Sequence, residues 1–476
     1  MVSTHLTNGL VPKSRPYAWS GRGGTWRRSL WSLAFAWPWF DGASEWALRR
    51  FFFPASRLWA AARTADGSAE RFYETLGAAR HPGGDAKLTI ALARFQRARA
   101  RAAALEAEWQ RVFFGWEESS VAYRSAVEAA RLDGAHAYNA ARRFFAFLLR
   151  RSAPPIRLDI QSPEAVDAIY ASARADLTPF TAPPDPLPAV ESSRPVPGAV
   201  GTDYWLRFKS PLLGDMVYAR VHEPVDVSDP PTLIFGHGVC VEFDHWRGLI
   251  DEATTLCAAG FRVIRPEAPW HGRRTPAGSF AGERLIATFP TGLMDGFFGA
   301  VQEWAVLADW SRKTSRGPLA FGGTSLGALT AQLAADRARE GAARLRPDGL
   351  FLITHCGRIG DATAQGEMTN IFGAAYDPFA NGWTPERIDD YLRLLDPRPE
   401  APVAPAKIVS VLGKRDRVTP FASGLALVQA WGVPEANQFI FDRGHFSMPM
   451  TLIRRKTPVA RFCEAMGSAT SGPSRS

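Results

Sequence analysis

A tight turn between an apolar run and a helix-like run constrains the fold of this chain most. Residues 319–323 (LAFGG) predict a short buried strand, and residues 328–338 (ALTAQLAADRA) predict a helix. The pentapeptide GTSLG around Ser325 joins them. So sharp a turn strains the serine backbone and admits only small neighbours, which Gly323 and Gly327 provide. The Ser325 hydroxyl is therefore predicted to stand at the top of a sheet, near the positive end of the following helix.

Seven further apolar runs predict the other strands of that sheet. The first two, at 204–208 and 216–223, predict an antiparallel pair joined by a turn. Segments long enough for crossover helices separate most of the others, which lie at 232–236, 261–266, 349–354, 407–413 and 437–442. This alternation predicts an α/β fold with a mostly parallel, eight-stranded sheet and helices on both faces. Sheets of this kind bind ligands at the carboxyl ends of their strands. We therefore look for candidate site residues directly after each run.

Two of these residues could activate the serine. A serine hydroxyl is a weak nucleophile until a base takes its proton. His445 follows the last run and is the predicted base, and Asp416 follows the run before it and is predicted to orient the imidazole. The chain order serine, acid, histidine is typical of one catalytic scaffold. Asp361 and Asp442 remain alternative acids, since the first follows the preceding strand and the second is close to His445.

Backbone N–H groups beside the serine are predicted to form an oxyanion hole. One should come from Leu326, the residue after the nucleophile. The other should come from the loop after the 232–236 run, where a His-Gly pair lets the backbone turn sharply. Val239 is the candidate donor there, and Gly238 and Cys240 are alternatives.

Two further histidines lie beside these loops. His237 is predicted to brace the oxyanion loop, and His271, a rival base, is predicted to tie loops together by hydrogen bonds. The predicted substrate-binding residues are His237, Gly238, Cys240 and His271. Glu242, Asp244 and His245 resemble a metal cluster, but no further ligands lie at a supporting spacing. We therefore expect no metal.

The motifs between about residues 204 and 465 resemble those of the α/β-hydrolase fold superfamily. The matching features are the HG pair at 237–238, PWHG at 269–272, GTSLG at 323–327, the G-x-x-D loop at 413–416 and the GH pair at 444–445. The resemblance implies Ser325 as nucleophile, His445 as general base and acid, and Asp416 as its orienting residue. It also implies that no cofactor and no metal take part. Similar proteins include esterases, lipases, thioesterases and serine peptidases.

The predicted function is that of a serine hydrolase. Its predicted substrate is a small-molecule carboxylic ester or thioester with an apolar or lipid-like acyl group. An acyltransferase using the same triad is an alternative that the triad does not distinguish. A non-catalytic scaffold that binds a protein partner is a second alternative, disfavoured by the intact Ser325, Asp416 and His445. A peptidase is less expected, because no propeller-like repeats precede the hydrolase region.

Residues 1–178 predict a basic, aromatic-rich helical region. An amphipathic pattern runs from 88 to 116 and a second from 121 to 149, and the aromatic side chains are expected to pack on the second domain. A basic segment and a twelve-residue apolar run at 29–40 have the outline of a signal peptide, but three tryptophans and a proline disfavour it. We expect a cytoplasmic protein that retains this segment and has peripheral membrane contact through residues 26–60.

The proline-rich segment 179–197 is the predicted linker between two domains. Seven prolines in nineteen residues favour an extended chain. The predicted hydrolase domain spans 198–468, with a cap insertion at about 355–403 and a flexible tail at 469–476. Aromatic residues that could shape an acyl pocket in the cap are Phe372, Tyr376, Phe379 and Trp383.

Composition excludes several other classes of protein. The net charge of +9 is spread along the chain and accompanies no nucleic-acid-binding motif, so nucleic acid is not an expected partner. Four scattered cysteines without a CxxC spacing exclude a disulfide scaffold and a zinc ribbon. No uncharged apolar stretch reaches the ~18 residues that would indicate a transmembrane helix.

Overall fold

A computed structural model describes residues 39–78, 85–149, 156–241, 252–367, 369 and 377–467. The α-helices of these residues are α1 (Trp39–Ala47), α2 (Phe53–Thr64), α3 (Ala69–Leu76), α4 (Asp85–Phe114), α5 (Val121–Ala140), α6 (Pro163–Tyr170), α7 (Thr178–Thr181), α8 (Glu252–Ala258), α9 (Glu283–Ala287), α10 (Thr291–Thr314), α11 (Leu326–Ala338), α12 (Pro385–Leu392), α13 (Phe421–Ala430), α14 (Ser447–Arg454) and α15 (Thr457–Ala465). Short π-helical segments lie at Leu48–Phe52 and Asp361–Gln365, and the longest 3₁₀ segment is Ala141–Leu148. Helices thus dominate the first described third of the chain, and helix and strand alternate after it.

The strands form one large sheet and one small one. They are β1 (Asp159–Ile160), β2 (Glu191–Ser192), β3 (Val196–Pro197), β4 (Thr202–Lys209), β5 (Met216–Glu223), β6 (Thr232–Gly236), β7 (Arg262–Pro266), β8 (Thr288–Phe289), β9 (Leu319–Thr324), β10 (Gly349–Ile353), β11 (Ile408–Gly413) and β12 (Gln438–Phe441). The large sheet has the order β12-β11-β10-β9-β6-β7-β5-β4-β2, and β3 also pairs with β4. The small sheet is the parallel pair of β1 and β8.

The large sheet corrects the prediction of eight mostly parallel strands. All eight predicted runs form strands, but the described sheet has ten strands and is mixed. Its strands from β12 to β7 are parallel neighbours, whereas β5, β4, β2 and β3 pair in antiparallel fashion. The two additional strands come from the proline-rich segment 179–197, which also holds most of the short helix α7. Extended proline-containing chain can pair at the edge of a sheet, because an edge strand does not need every N–H.

Alternating side chains of the central strands enter two separate cores. Ile234 and Phe321 point to the face covered by α10 and α11, in one hydrophobic cluster. Leu233 and Phe235 point to the opposite face, which α8, α14 and α15 cover. Burial on both faces explains why β6, β9, β10 and β11 consist almost entirely of apolar residues and glycine. Because these strands are parallel, their carboxyl ends meet at one edge of the sheet.

The amino-terminal helices pack directly on the sheet-containing region. Trp109 on α4 lies edge-on to Trp205 on β4, with ring centroids 5.2 Å apart. On α2, Arg57 donates from Nη1 to both carboxylate oxygens of Glu283 at 2.8 Å, and both side chains are buried. A third hydrophobic cluster joins α2, α3 and α4 to Phe280 and Cys240. Across the described part of the chain, no helix combines the length and apolarity needed to cross a membrane.

Candidate active site

The turn between β9 and α11 holds Ser325 in a strained conformation. Its backbone has φ 57° and ψ −119°, in the positive-φ region that L-residues rarely occupy, and it precedes the first turn of α11. A Cβ atom on Gly327 would overlap the backbone of Gly236 on β6, and one on Gly323 would overlap Gly327. The two glycines therefore let the turn pack against the neighbouring strand, as the sequence motif predicted.

His445 and Asp416 complete a hydrogen-bonded chain with the serine. The Nε2 atom of His445 lies 3.0 Å from the Oγ atom of Ser325. Its Nδ1 atom lies 2.9 Å from Oδ2 of Asp416. A carboxylate only accepts, so Nδ1 carries the proton and Nε2 is free to accept the hydroxyl proton of Ser325. The side chain of His445 is 10% exposed and that of Asp416 2%, so solvent competes little with this contact.

Asp416 is itself held rigidly. Its Oδ1 atom accepts hydrogen bonds from the N–H groups of Val418 and Thr419, both at 2.9 Å. The Thr419 hydroxyl donates to Oδ2 at 2.9 Å. The sequence prediction did not include Thr419; its only signal is its place three residues after the acid. Three donors on one carboxylate fix its orientation towards His445.

The two alternative acids lie elsewhere. Asp442 accepts two hydrogen bonds from Arg415, at 2.6 and 2.9 Å, on the exposed surface. Asp361 begins the π-helical segment Asp361–Gln365. Within the described residues, neither carboxylate is among the hydrogen-bond partners of His445.

The loop after β6 lies against the serine. A Cβ atom built on Gly238 would lie 3.7 Å from Cβ of Ser325. Cys240 has φ 59°, and its N–H donates to Nε2 of His271 at 3.0 Å. That N–H is therefore engaged, and Val239 stays the candidate donor from this loop. Leu326 is the first residue of α11, where backbone N–H groups have no acceptor within the helix.

His237 and His271 hold this loop through both of their ring nitrogens. Nδ1 of His237 donates to the carbonyl oxygen of Gly238 at 2.8 Å, and its Nε2 accepts from the N–H of Ala268 at 3.2 Å. Nδ1 of His271 donates to the carbonyl oxygen of Pro269 at 2.8 Å. Burial lowers the pKa of His237 to about 3 and that of His271 to about 4. With no free nitrogen, His271 is a poor rival to His445 as base.

Two apolar cavities meet at the serine. One has a volume of about 580 Å³ and the other about 110 Å³, and Ser325 and Val239 line both. The described walls of the larger cavity include Phe40, Leu48, Phe52, Cys240, His445 and Met450. Those of the smaller one include Leu158, Leu285, Phe289, Phe297, Leu329 and Ile359. The contribution of residues 40–55 to the larger cavity was not predicted, because no sequence pattern relates them to Ser325.

The predicted cap insertion contributes to the smaller cavity. Ile359, Ala362, Thr363 and Thr369 line that cavity. Of the four aromatic residues that were expected to shape an acyl pocket, Phe379 is exposed and Trp383 is buried, with its indole N–H donating to the Gln161 carbonyl at 2.7 Å. Phe372 and Tyr376 lie outside the described residues, as do the potential metal ligands Glu242, Asp244 and His245.

Buried histidines with lowered pKa values, among them His222, make the stability of this protein sensitive to acid. Besides His237 and His271, His355 has a pKa that burial lowers to about 4, and its ring contacts Gln332 and Ser410. In the unfolded chain these groups gain a proton near pH 6.5. Below that pH the unfolded state therefore binds more protons than the native state, so the free energy of unfolding falls as the pH falls towards 4.

We expect the free energy of unfolding to drop by roughly 2–3 kcal/mol between pH 7 and pH 5.5. His237, His271 and His355 each contribute about 1 kcal/mol to the drop. Asp396 acts in the opposite direction, because burial raises the pKa of its carboxyl to about 6 and its native form therefore gains a proton in this pH range. Its contribution is somewhat smaller than that of one histidine. Denaturant titrations at the two pH values measure the difference. The His355→Asn variant should show a drop that is smaller by about 1 kcal/mol. Equal stability of the wild type at the two pH values would contradict the assignment.

No protein-family model and no curated protein matches this chain. Similar solved structures include an acetyl xylan esterase from Paenibacillus sp. R4, at 16% identity and a TM-score of 0.41, covering 65% of this chain and 96% of that one. Acetyl xylan esterase 1 from Thermoanaerobacterium sp. JW/SL YS485 has 17% identity and a TM-score of 0.39, covering 62% and 96%. A cold-adapted esterase from an Arctic intertidal metagenomic library has 17% identity and a TM-score of 0.38, covering 56% and 95%.

Proposed function

We propose that this chain is a serine hydrolase of the α/β-hydrolase type that cleaves a carboxylic ester or thioester with an apolar acyl group. One observation carries the proposal. The hydrogen-bonded chain of Asp416, His445 and Ser325 opens onto two apolar cavities at the carboxyl ends of the strands. A nucleophile, its base and the orienting acid thus lie where an apolar substrate could bind.

The proposed reaction proceeds through an acyl-serine intermediate. Oγ of Ser325 attacks the substrate carbonyl carbon while Nε2 of His445 takes the hydroxyl proton. The N–H groups of Val239 and Leu326 stabilise the negative charge on the carbonyl oxygen. Collapse of the tetrahedral intermediate expels the alcohol or thiol, which receives the proton from His445. Water then attacks the acyl-serine with His445 again as base, which releases the carboxylic acid and restores the serine.

The cavities support a substrate that is apolar on both sides of the scissile bond. Ser325 lies at the boundary of the two cavities, so one side of an ester could enter each of them. Because the volumes differ about fivefold, the two sides of a well-fitting ester should differ in bulk. Each buried methylene group contributes ~0.8 kcal/mol, so chain length should affect kcat/KM strongly.

A series of p-nitrophenyl esters from acetyl to palmitoyl tests this proposal. We expect kcat/KM to rise at least roughly tenfold from acetyl to octanoyl, because the added methylene groups leave water for an apolar cavity. Hydrolysis is monitored through the release of p-nitrophenol. The Ser325→Ala variant is the inactive control. A preference for acetyl over every longer ester would contradict the proposed acyl class, and no hydrolysis of any ester would contradict the proposed function.

We further propose that the start of the described chain contacts an anionic membrane. Trp39, Trp46 and Phe51 are 56%, 62% and 46% exposed, on α1 and the π-helical segment after it. Arg49 and Arg50 are exposed beside them. The same segment forms part of the wall of the larger cavity, so a lipid surface bound to it would lie close to that cavity. Exposed aromatic side chains with neighbouring arginines are typical of helices that lie on anionic bilayers.

Co-sedimentation with lipid vesicles tests the membrane proposal. We expect the protein to pellet with phosphatidylcholine vesicles that contain phosphatidylserine, and to pellet much less with phosphatidylcholine alone. The Trp46→Ala variant should reduce the bound fraction severalfold. Trp116→Ala is the matched control, since Trp116 is also an exposed tryptophan but lies after α4, outside this segment. Equal pelleting of the two variants, or no pelleting of the wild type at low salt, would contradict the proposal.

A further inference from the structure

The first described helix reaches into the loop that carries His445. Asp41 on α1 is 9% exposed, and its Oδ1 atom accepts hydrogen bonds from the N–H groups of Phe446 and Ser447 at 2.7 and 3.0 Å. Its Oδ2 atom accepts from the N–H of Gly444 at 3.2 Å and from the Ser447 hydroxyl at 2.6 Å. One carboxylate thus contacts the residues on both sides of His445, across some four hundred positions of the chain.

The loop is built for a close approach of this carboxylate. A Cβ atom on Gly444 would lie 2.5 Å from Cγ of Asp41, so any larger residue there would displace the carboxylate. Phe446 is the N-cap and Ser447 the first residue of α14, where N–H groups lack acceptors within the helix and the helix dipole favours a negative charge. Asp41 therefore supplies, from a distant helix, the acceptors that the start of α14 needs.

The backbone on either side determines where the imidazole lies. His445 must keep Nε2 within hydrogen-bond distance of Ser325 while Nδ1 faces Asp416. A displacement of about 1 Å in such a group costs roughly 10²-fold in rate. Asp416 fixes the imidazole from the side-chain end, and Asp41 fixes the loop from the backbone end.

We propose that Asp41 is a positioning residue for His445, and that α1 is thereby a working part of the active site. The proposal rests on the proposed function, since it needs His445 to be the base. The helix has two roles in this account. It forms part of the wall of the larger cavity through Phe40 and Ser44, and it holds the histidine loop through Asp41.

Steady-state kinetics of Asp41→Asn and Asp41→Ala test the proposal, with p-nitrophenyl octanoate as substrate. Asparagine keeps one acceptor oxygen but places an amide group against the Gly444 N–H, and alanine keeps none. We expect kcat per titrated active site to fall about tenfold for asparagine and about hundredfold for alanine, with KM nearly unchanged. Asp66→Asn is the matched control, because its side chain is 66% exposed and lies far along the chain from the loop.

The separate effects on kcat and KM distinguish two roles of Asp41, the positioning of His445 and the attachment of α1. Detachment of α1 would open the wall of the larger cavity and raise KM for a long-chain ester. A graded loss of kcat at constant KM, in variants with wild-type circular dichroism, supports the proposal. If Asp41→Ala does not fold, Asp41→Asn and Ser447→Ala provide the test. Ser447→Ala removes the 2.6 Å bond to Asp41 together with the 3.1 Å bond that the Gly444 N–H donates to the same hydroxyl.

The outcomes also separate this proposal from the proposed function. One outcome would overturn only the role of Asp41. In that outcome both Asp41 variants fold and are as active as Asp66→Asn, while Ser325→Ala is inactive. A folded wild type that hydrolyses no ester would overturn both, because there would be no base to position. A loss that appears only in KM would also overturn the positioning role.

Discussion

Replacing Ser325 with alanine is expected to lower kcat for ester hydrolysis on the order of 10⁶-fold. The substitution removes the only atom of this residue that lies within hydrogen-bond distance of His445, at 3.0 Å. In the proposed mechanism no acyl-serine can then form, and hydrolysis would depend on direct attack by water beside the proposed oxyanion donors. Removal of one hydroxyl at this boundary between two cavities should leave the fold intact.

The measurement is release of p-nitrophenol from the preferred ester by wild-type and Ser325→Ala protein. Ser172→Ala is a suitable control, since Ser172 is exposed and lies in a short 3₁₀ segment away from the sheet edge. The control should retain wild-type kcat. A Ser325→Ala variant that keeps more than roughly a tenth of wild-type kcat would show that another group is the nucleophile.

Asp416→Asn is expected to lower kcat by about 10⁴-fold. In the proposed mechanism, the carboxylate keeps the proton on Nδ1 of His445 and stabilises the imidazolium that forms when the ring takes the serine proton. An asparagine amide could instead donate to Nδ1 and leave the proton on Nε2, where it cannot accept from Ser325. The N–H groups of Val418 and Thr419 would still hold the side chain in place through its remaining oxygen.

The two alternative acids provide the controls for this prediction. Asp442→Asn should leave kcat within about twofold, since Asp442 pairs with Arg415 on the surface and loses at most a weak exposed ion pair. Asp361→Asn should likewise retain activity. If Asp361→Asn lost activity and Asp416→Asn kept it, the acid would follow β10 and not β11, as the sequence alone left open.

Much of the sheet could be predicted because its central strands are buried on both faces. Such strands consist of nearly continuous apolar residues, so their positions are visible as short runs such as 232–236 and 349–354. The candidate site residues could be named for a related reason. In parallel strands the residues after each run meet at one edge, which places Ser325, Asp416 and His445 together.

Pairings at the edge of the sheet could not be predicted. Glu191–Ser192 and Val196–Pro197 are two-residue strands inside a proline-rich segment that has neither alternation nor β-branched runs. Their pairing depends on β4 being available beside them, which is a property of the tertiary structure. Strand number was therefore underestimated, although the strands around the site were placed well.

Contacts between the amino-terminal helices and the site were also invisible in the sequence. Asp41 meets Gly444 through a single buried carboxylate, and no periodicity connects residues so far apart. The one local signal is that Asp41 is the first acidic residue of a basic and aromatic segment. The first acidic residue of such a segment is a reasonable place to look for a tertiary contact, but the sequence does not identify its partner.

Covalent labelling of the folded protein tests the central claim most directly. A fluorophosphonate probe reacts with a serine whose hydroxyl is activated by a neighbouring base, and mass spectrometry of the modified peptides identifies that serine. The account predicts a single modified peptide that carries the probe on Ser325, and no labelling of Ser325→Ala. Labelling at another residue, or no labelling of wild-type protein that is folded by circular dichroism, would contradict it.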